Sequence, residues 1–212
     1  MRIKLSKLVQ LAIFVFVVVF MVTNAVAYNH STYAKYFYDN CQYYDYQMIG
    51  GIESGYWTYY PTSNTDYQTP ITNAISAWSG SGASFSRVNY NSNYSCKLNF
   101  ALGNYGSGWG RGKTNFYSSS NTLINGGGEP TSNWKYVIIQ INKDELDSAS
   151  SNGTLGTITH EVGHSFGLTH FNTSSASTSG IMHSTHSIRY VAWGIYQPKS
   201  FEINAVKDYY GN

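Results

Sequence analysis

Residues 160–170 read His160-Glu161-Val162-Gly163-His164-Ser165-Phe166-Gly167-Leu168-Thr169-His170, and this run constrains the fold more than any other part of the chain. On a helix, four residues turn the backbone through about 400°. His160 and His164 therefore share one face, a turn apart, and both can reach one metal ion. Glu161 is displaced around the helix from the first of them. From there its carboxylate reaches a water at the metal without taking a coordination position, which is what a general base requires. Gly167 has no Cβ and adopts left-handed backbone at little cost, so the chain can reverse there and return His170 to the same metal.

Three neutral nitrogen ligands on Zn²⁺ leave a fourth tetrahedral position open, the mark of a catalytic rather than a closed structural site. Zinc lowers the pKa of bound water to about 7 and polarises a carbonyl oxygen, the two things that peptide hydrolysis near neutrality needs. The expected cofactor is therefore one zinc ion on His160, His164 and His170, with Glu161 as the catalytic base. A helix carrying ordinary surface histidines is the bland alternative, and it leaves Gly167 and His170 at these offsets unexplained.

The run matches the extended signature HExxHxxGxxH without a gap, and in it the chain resembles the metzincin clan of zinc endopeptidases. Downstream, Ser179-Gly180-Ile181-Met182-His183 resembles the clan's Met-turn, which places a methionine, here Met182, as an apolar floor beneath the metal. Trp57-Thr58-Tyr59-Tyr60 and Ile71-Thr72-Asn73-Ala74-Ile75-Ser76-Ala77-Trp78 resemble the first strand and first helix of matrixins, the matrix metalloproteinase family. The similarity runs over about 55–211. It implies an α/β (α+β) fold: a twisted, mixed five-stranded sheet with two long helices, an active-site cleft, and a small C-terminal subdomain with the Met-turn and a final helix. It also implies that residues 110–117 form an edge strand along which an extended substrate lies antiparallel, its next side chain entering a pocket near His160 and the wall after Met182.

The chain departs from the family in three places. Phe171 follows the third histidine, where matrixins often carry Ser, astacins Glu and adamalysins Asp. Ser184 stands two residues after Met182, where astacins and serralysins carry a Tyr, which leaves Tyr190 as the substitute for a tyrosine that assists the oxyanion. Residues 118–133 contain no histidine and one acid, Glu129, so the structural zinc of matrixins is not expected and calcium has no support. The resemblance is to a distant, simplified member.

Residues 1–27 carry Arg2, Lys4 and Lys7, an apolar run and then Ala25-Val26-Ala27, which reads as a secretory signal peptide cleaved after Ala27. The apolar core is short for a membrane span of about 20 residues, although an uncleaved signal anchor is the alternative. The expected location is secreted and extracellular, with no stable membrane insertion. Losing the leader's three cations leaves ten basic residues against the chain's 11 acids. No concentrated basic face remains for a phosphate backbone, so nucleic acid is excluded as a partner. The remaining 185 of 212 residues suffice for one domain, and a monomer is expected.

Cys41 and Cys96 are the two cysteines, and in an exported chain such a pair most simply forms a disulfide. The alternatives are an inhibitory Cys41 thiolate on the zinc, as in the matrixin pro-segment, and two unpaired thiols. The context Asp39-Asn40-Cys41-Gln42 does not match the matrixin switch motif.

Residues 28–54 are tyrosine-rich without periodicity and read as an N-terminal arm or a short propeptide, ahead of a catalytic domain at 55–212. Strands are expected at 57–60, 85–90, 96–102, 113–117 and 136–141, from alternation and β-branched runs bounded by Gly, Asn and Ser. Pro70 opens a helix carrying Ile71, Ala74, Ile75 and Trp78 at helical spacing. The helix bearing the histidines starts near Thr154, with that hydroxyl as its cap and Leu155, Ile158 and Val162 facing the sheet. Ser200 caps a last helix that Gly211 stops. His183 and His186 read as loop residues, not ligands.

These expectations converge on a secreted zinc-dependent endopeptidase acting on extracellular proteins or peptides, with Glu161 as base. Two alternatives stay open: a zinc amidase acting on peptidoglycan peptides, and a non-catalytic extracellular binding module that contains zinc.

Overall fold

Leu98, Phe100 and Leu102 are buried while Asn99, Ala101 and Gly103 between them are half-buried, the two-residue period of a strand with one face against a core. A computed structural model describes residues 44–90, 96–126 and 129–211, which belong to one compact unit, Tyr33–Asn212. The expected leader, and the arm up to and including Cys41, lie outside the described residues.

In chain order the elements are β1 (Gly55–Tyr60), α1 (Gln68–Ser76), β2 (Phe85–Arg87), β3 (Leu98–Gly103), β4 (Gly112–Tyr117), the short pair β5 (Asn125–Gly126) and β6 (Glu129–Pro130), β7 (Tyr136–Asn142), α2 (Lys143–Leu146), α3 (Ser151–Ser165) and α4 (Ser200–Tyr210). Five strands form one mixed sheet in the order β2-β1-β3-β7-β4. The first four run parallel, and β4 lies antiparallel to β7 at the edge. The fold is thus mixed α/β around a five-stranded mixed sheet.

Register follows from burial. Leu98, Phe100 and Leu102 pair with Val137, Ile139 and Ile141, all of them at most 5 % exposed. They join a core that includes Ile71, Ala74 and Ile75 of α1 and Ile158 and Val162 of α3. A slip of one residue would turn Asn99 and Gln140 into that core. Trp78, fully buried, ties the two helices together by donating Nε1–H to the Thr159 carbonyl at 3.1 Å.

α3 differs from expectation at its start. It begins at Ser151 with Ser150 as N-cap, whose hydroxyl accepts from Gly153 N–H at 3.1 Å; Thr154 lies inside the helix and is not its cap. Its glycines and threonines are poor helix formers, so burial on most sides holds it rather than intrinsic propensity. At α4 the cap is Lys199, one residue before the expected Ser200, because the Glu202 carboxylate reaches back to Lys199 N–H at 2.9 Å. β2 stops at Arg87 instead of running to residue 90, and β3 starts at Leu98, two residues late. The short α2 and a wide helical turn over Ser187–Ala192 had no sequence signature of their own.

Tyr44, Met48 and Ile52, from the stretch read as arm or propeptide, are buried in the same core. Tyr44 N–H donates to the Gly167 carbonyl at 2.8 Å, and Tyr209 donates its hydroxyl to the Tyr44 and Tyr46 carbonyls. No helix among the described residues is long and apolar enough to cross a membrane.

Candidate metal centre

α3 ends in a way that brings the third histidine back. Gly167 has φ +97°; its N–H donates to the His164 carbonyl at 3.0 Å, and Leu168 N–H donates to the Gly163 carbonyl at 3.1 Å. This is a Schellman termination, which needs a left-handed residue. The chain then reverses, and His170 Nε2 comes within 3.0 Å of His160 Nε2 and 3.1 Å of His164 Nε2, with the remaining pair also 3.1 Å apart.

The other ring nitrogens of the two helix histidines decide what two of those three atoms are. His164 Nδ1 lies 2.8 Å from the Leu168 carbonyl, and His160 Nδ1 lies 2.7 Å from the Ile181 carbonyl. A carbonyl only accepts, so each Nδ1 carries the proton and each Nε2 presents a lone pair. Lone pairs converging at about 3 Å repel unless a cation lies between them. The edge of a zinc tetrahedron with Zn–N near 2.05 Å is about 3.3 Å, so the donor set fits one zinc ion. Among the described residues these three histidines form the one cluster of potential ligands. Burial holds His160 and His170 below the ordinary imidazole value and His164 down to about 3, which keeps them neutral, as ligands must be.

Arg189 stands against this cluster. It is 4 % exposed and its Nη1 donates to the His183 carbonyl at 2.9 Å and the Ile181 carbonyl at 3.1 Å. That same nitrogen lies 2.5 Å from His160 Nδ1. Two donors therefore meet at one carbonyl. The alternative, Arg189 donating to a bare Nδ1, would put the proton on Nε2 amid the other two histidines, and we favour the first arrangement for that reason. Tyr44 adds a contact from outside the motif, with its hydroxyl 3.1 Å from His164 Nδ1.

Glu161 is 6 % exposed and sits beside the three nitrogens without joining them. Thr114 Oγ1 lies 2.9 Å from its Oε2 and 3.0 Å from its own carbonyl oxygen. Burial pushes the carboxyl up to about 7, opposed by the Thr114 hydrogen bond and the Arg189 charge. A proton acceptor titrating near neutrality suits acid–base chemistry.

Met182 is fully buried below α3, where Gly163 makes room for it: a Cβ on that glycine would collide with Met182 Sδ and stand 2.9 Å from Trp78. His183 N–H donates to the Gly180 carbonyl at 3.3 Å, and the Glu202 carboxylate accepts from Ile181 and Met182 N–H at 3.0 and 2.9 Å. The turn is thereby held from α4.

A cleft of about 730 Å³ opens over the histidines, lined also by Tyr44, Arg111, Glu161 and Arg189. β4 forms its rim, at the sheet edge as expected, but only part of that edge is open. Phe116 is covered on its outer side by Ile124 N–H on its carbonyl at 3.0 Å and by Asn125 Oδ1 on its N–H at 2.7 Å. Asn125 Nδ2 also donates to the Thr114 carbonyl at 3.4 Å, so the open part of the edge is Gly112 and the Thr114 N–H, where no described strand pairs with the outer side.

Other candidates fall elsewhere. His183 packs its ring on Trp193 at 5.2 Å and His186 lines the cleft; neither joins the ligand cluster. Tyr190, the substitute for an oxyanion-assisting tyrosine, is turned away: its hydroxyl is 2.5 Å from Ser150 Oγ at the start of α3, about 15 Å of helix from His160. Ser184 donates its hydroxyl to Asn172 Oδ1 at 2.6 Å. Cys96 lines a different cavity, with Thr58 and Phe100, and its proposed partner Cys41 lies outside the described residues. Tyr44, Arg111, Thr114 and Arg189 escaped the sequence reading, because each reaches the site from a separate element and no spacing links them to the motif.

No family model matches the sequence, and no curated protein matches it either. Among solved structures, the chain is similar to one described as the GM1-bound form of the ECX AB5 holotoxin, at 16 % identity over 80 % of this chain and 84 % of that one, with a TM-score of 0.47. That likeness is too loose to carry an activity across.

Proposed function

We propose that the protein is a secreted zinc-dependent endopeptidase of metzincin type, acting on extracellular proteins or peptides as a monomer. The observation that carries this reading is the convergence of three Nε2 atoms at 3.0–3.1 Å beside a buried carboxylate that is not one of them. His160, His164 and His170 would hold the metal. A zinc ion there supplies a Lewis acid that polarises the scissile carbonyl and lowers the pKa of water to about 7.

The chain's own residues do the rest. Gly112 and the Thr114 N–H pair with the backbone of an extended peptide, giving affinity that is largely independent of side chains. Glu161 Oε takes a proton from the attacking water as the new C–O bond forms, and returns it to the amine nitrogen as the C–N bond breaks. Thr114 fixes the carboxylate for this exchange. Tyr44 and the Leu168 carbonyl orient His164, and the Ile181 carbonyl orients His160, second contacts of the kind that fix ligand direction. Met182 forms the apolar floor, in the role of the clan's Met-turn. The signal-like residues 1–27 support export.

The test is reconstitution. Protein stripped with a chelator and reloaded with one equivalent of zinc is incubated with a mixture of denatured extracellular proteins, and new termini are counted by mass spectrometry. Cleavage that appears only in the reloaded sample is expected. Stoichiometric zinc without any cleavage overturns the reading; hydrolysis of peptidoglycan cross-links alone would make it an amidase, and no hydrolysis of either would leave a binding module.

A further inference from the structure

Three residues that line the cleft each carry a buried side-chain nitrogen with no hydrogen-bond partner: Arg111 Nη1, Arg189 Nε and His186 Nε2. They belong to separate elements, the start of β4 and two positions of the 187–192 turn and its approach, yet they share one wall beside His160 and Glu161. Their charges act on one another, since Arg111 is felt by both His186 and Arg189, and Arg189 by His186. Burying polar nitrogens unpaired, with two guanidinium cations close enough to repel, costs folding free energy. The Glu161 and Glu202 charges offset part of that cost at Arg189, but no described carboxylate pairs with either guanidinium. Among the described residues the one ion pair is Lys143 with Asp147, so Glu129, Glu145 and Glu161, which also line the cleft, all stand beyond ion-pair distance of both arginines.

We propose that this wall binds a carboxylate of the peptide substrate, with Arg111 as the principal donor and Arg189 and His186 behind it. The proposal rests on the peptidase reading and adds a substrate class: peptides with an acidic group close to the cut bond. Arg111 directly precedes Gly112, where the open edge of β4 begins, so a peptide paired along that edge carries its side chains past the guanidinium. A planar guanidinium with an unused Nη matches the two oxygens of a carboxylate, and a charge-assisted hydrogen bond is about twice as strong as a neutral one. The carboxylate has two sources in a peptide, an Asp or Glu side chain and the C-terminus.

Binding is measured on zinc-loaded Glu161→Gln protein, where turnover is slow, by fluorescence anisotropy with four labelled peptides of one sequence. They carry Asp or Asn at a central position, each with a free or an amidated C-terminus. Asp peptides are expected to bind about tenfold more tightly than Asn peptides, and Arg111→Gln should remove that ratio while Arg111→Lys restores part of it. A ratio set by the free C-terminus instead identifies the terminus as the source. Equal binding of all four peptides, a preference that survives Arg111→Gln, or no binding at all overturns the site. Cleavage by the wild type separates the two claims. Acid-selective binding with no cleavage leaves the carboxylate site standing and removes the peptidase, whereas cleavage without acid selectivity does the reverse.

Discussion

Thr114 on β4 holds Glu161 on α3 at two points, with its hydroxyl oxygen 2.9 Å from the carboxylate and 3.0 Å from the main-chain carbonyl. One residue of the sheet edge thereby fixes both the helix and its carboxylate. The contact is tight, since a Cβ on Gly112 would fall 2.7 Å from Glu161 Cγ. The strand proposed to align the substrate and the group proposed to move the proton are therefore parts of one rigid unit.

Thr114→Val keeps the shape and removes the donor. Leaving a buried carboxylate short of a hydrogen bond costs about 1–3 kcal/mol, so the melting temperature should fall and kcat should fall about tenfold, with zinc content unchanged. Thr114→Ser should recover most of both. Full activity in the valine variant would show that the hydroxyl does not position Glu161.

Gly167→Ala tests the chain reversal. At φ +97° an alanine is strained, and its Cβ would press on the Tyr209 ring. We expect a loss of about 1–3 kcal/mol in urea unfolding, and weaker zinc binding by competition with a chromogenic chelator, because His170 depends on this turn. Unchanged zinc affinity would mean that His170 reaches the metal without it.

The metal-free protein should lose stability as pH falls from about 6.5. Burial holds His160 and His170 low, His164 at about 3 and His186 at about 4, while the unfolded chain protonates its imidazoles near 6.5. A depressed folded value means that unfolding takes up protons, so stability is present above the unfolded pKa and is lost as pH drops through this window. Glu161, raised to about 7, and Glu202, also raised by burial, act in the opposite sense, but with His183, which burial also lowers, five imidazoles outnumber two carboxylates. Urea melts of chelated protein at pH 7.5, 6.5 and 5.5 measure the slope, which His186→Asn should reduce. Stability that is flat or rises towards pH 5.5 contradicts this.

The metal cluster was legible because helix period and one glycine fix where His160, His164 and His170 point, whatever the rest of the chain does. The sheet was legible where β3 and β7 alternate. Other features depend on tertiary contact and left no local trace. Ser150 rather than Thr154 caps α3 because packing extends a helix whose own glycines argue for a later start. Arg189 faces His160 across 29 positions of sequence, and Tyr44 faces His164 across 120. Tyr190 looked suitable by residue type and is committed to Ser150 by geometry.

The most direct measurement is peptide cleavage by wild type and Glu161→Gln at equal, independently measured zinc content. One zinc per chain should be present in both proteins, since Glu161 is not a ligand in this account, and the variant should cleave about 10²- to 10⁴-fold more slowly. Equal rates at equal zinc, or a variant that no longer holds the metal, would contradict Glu161 as the group that moves the proton.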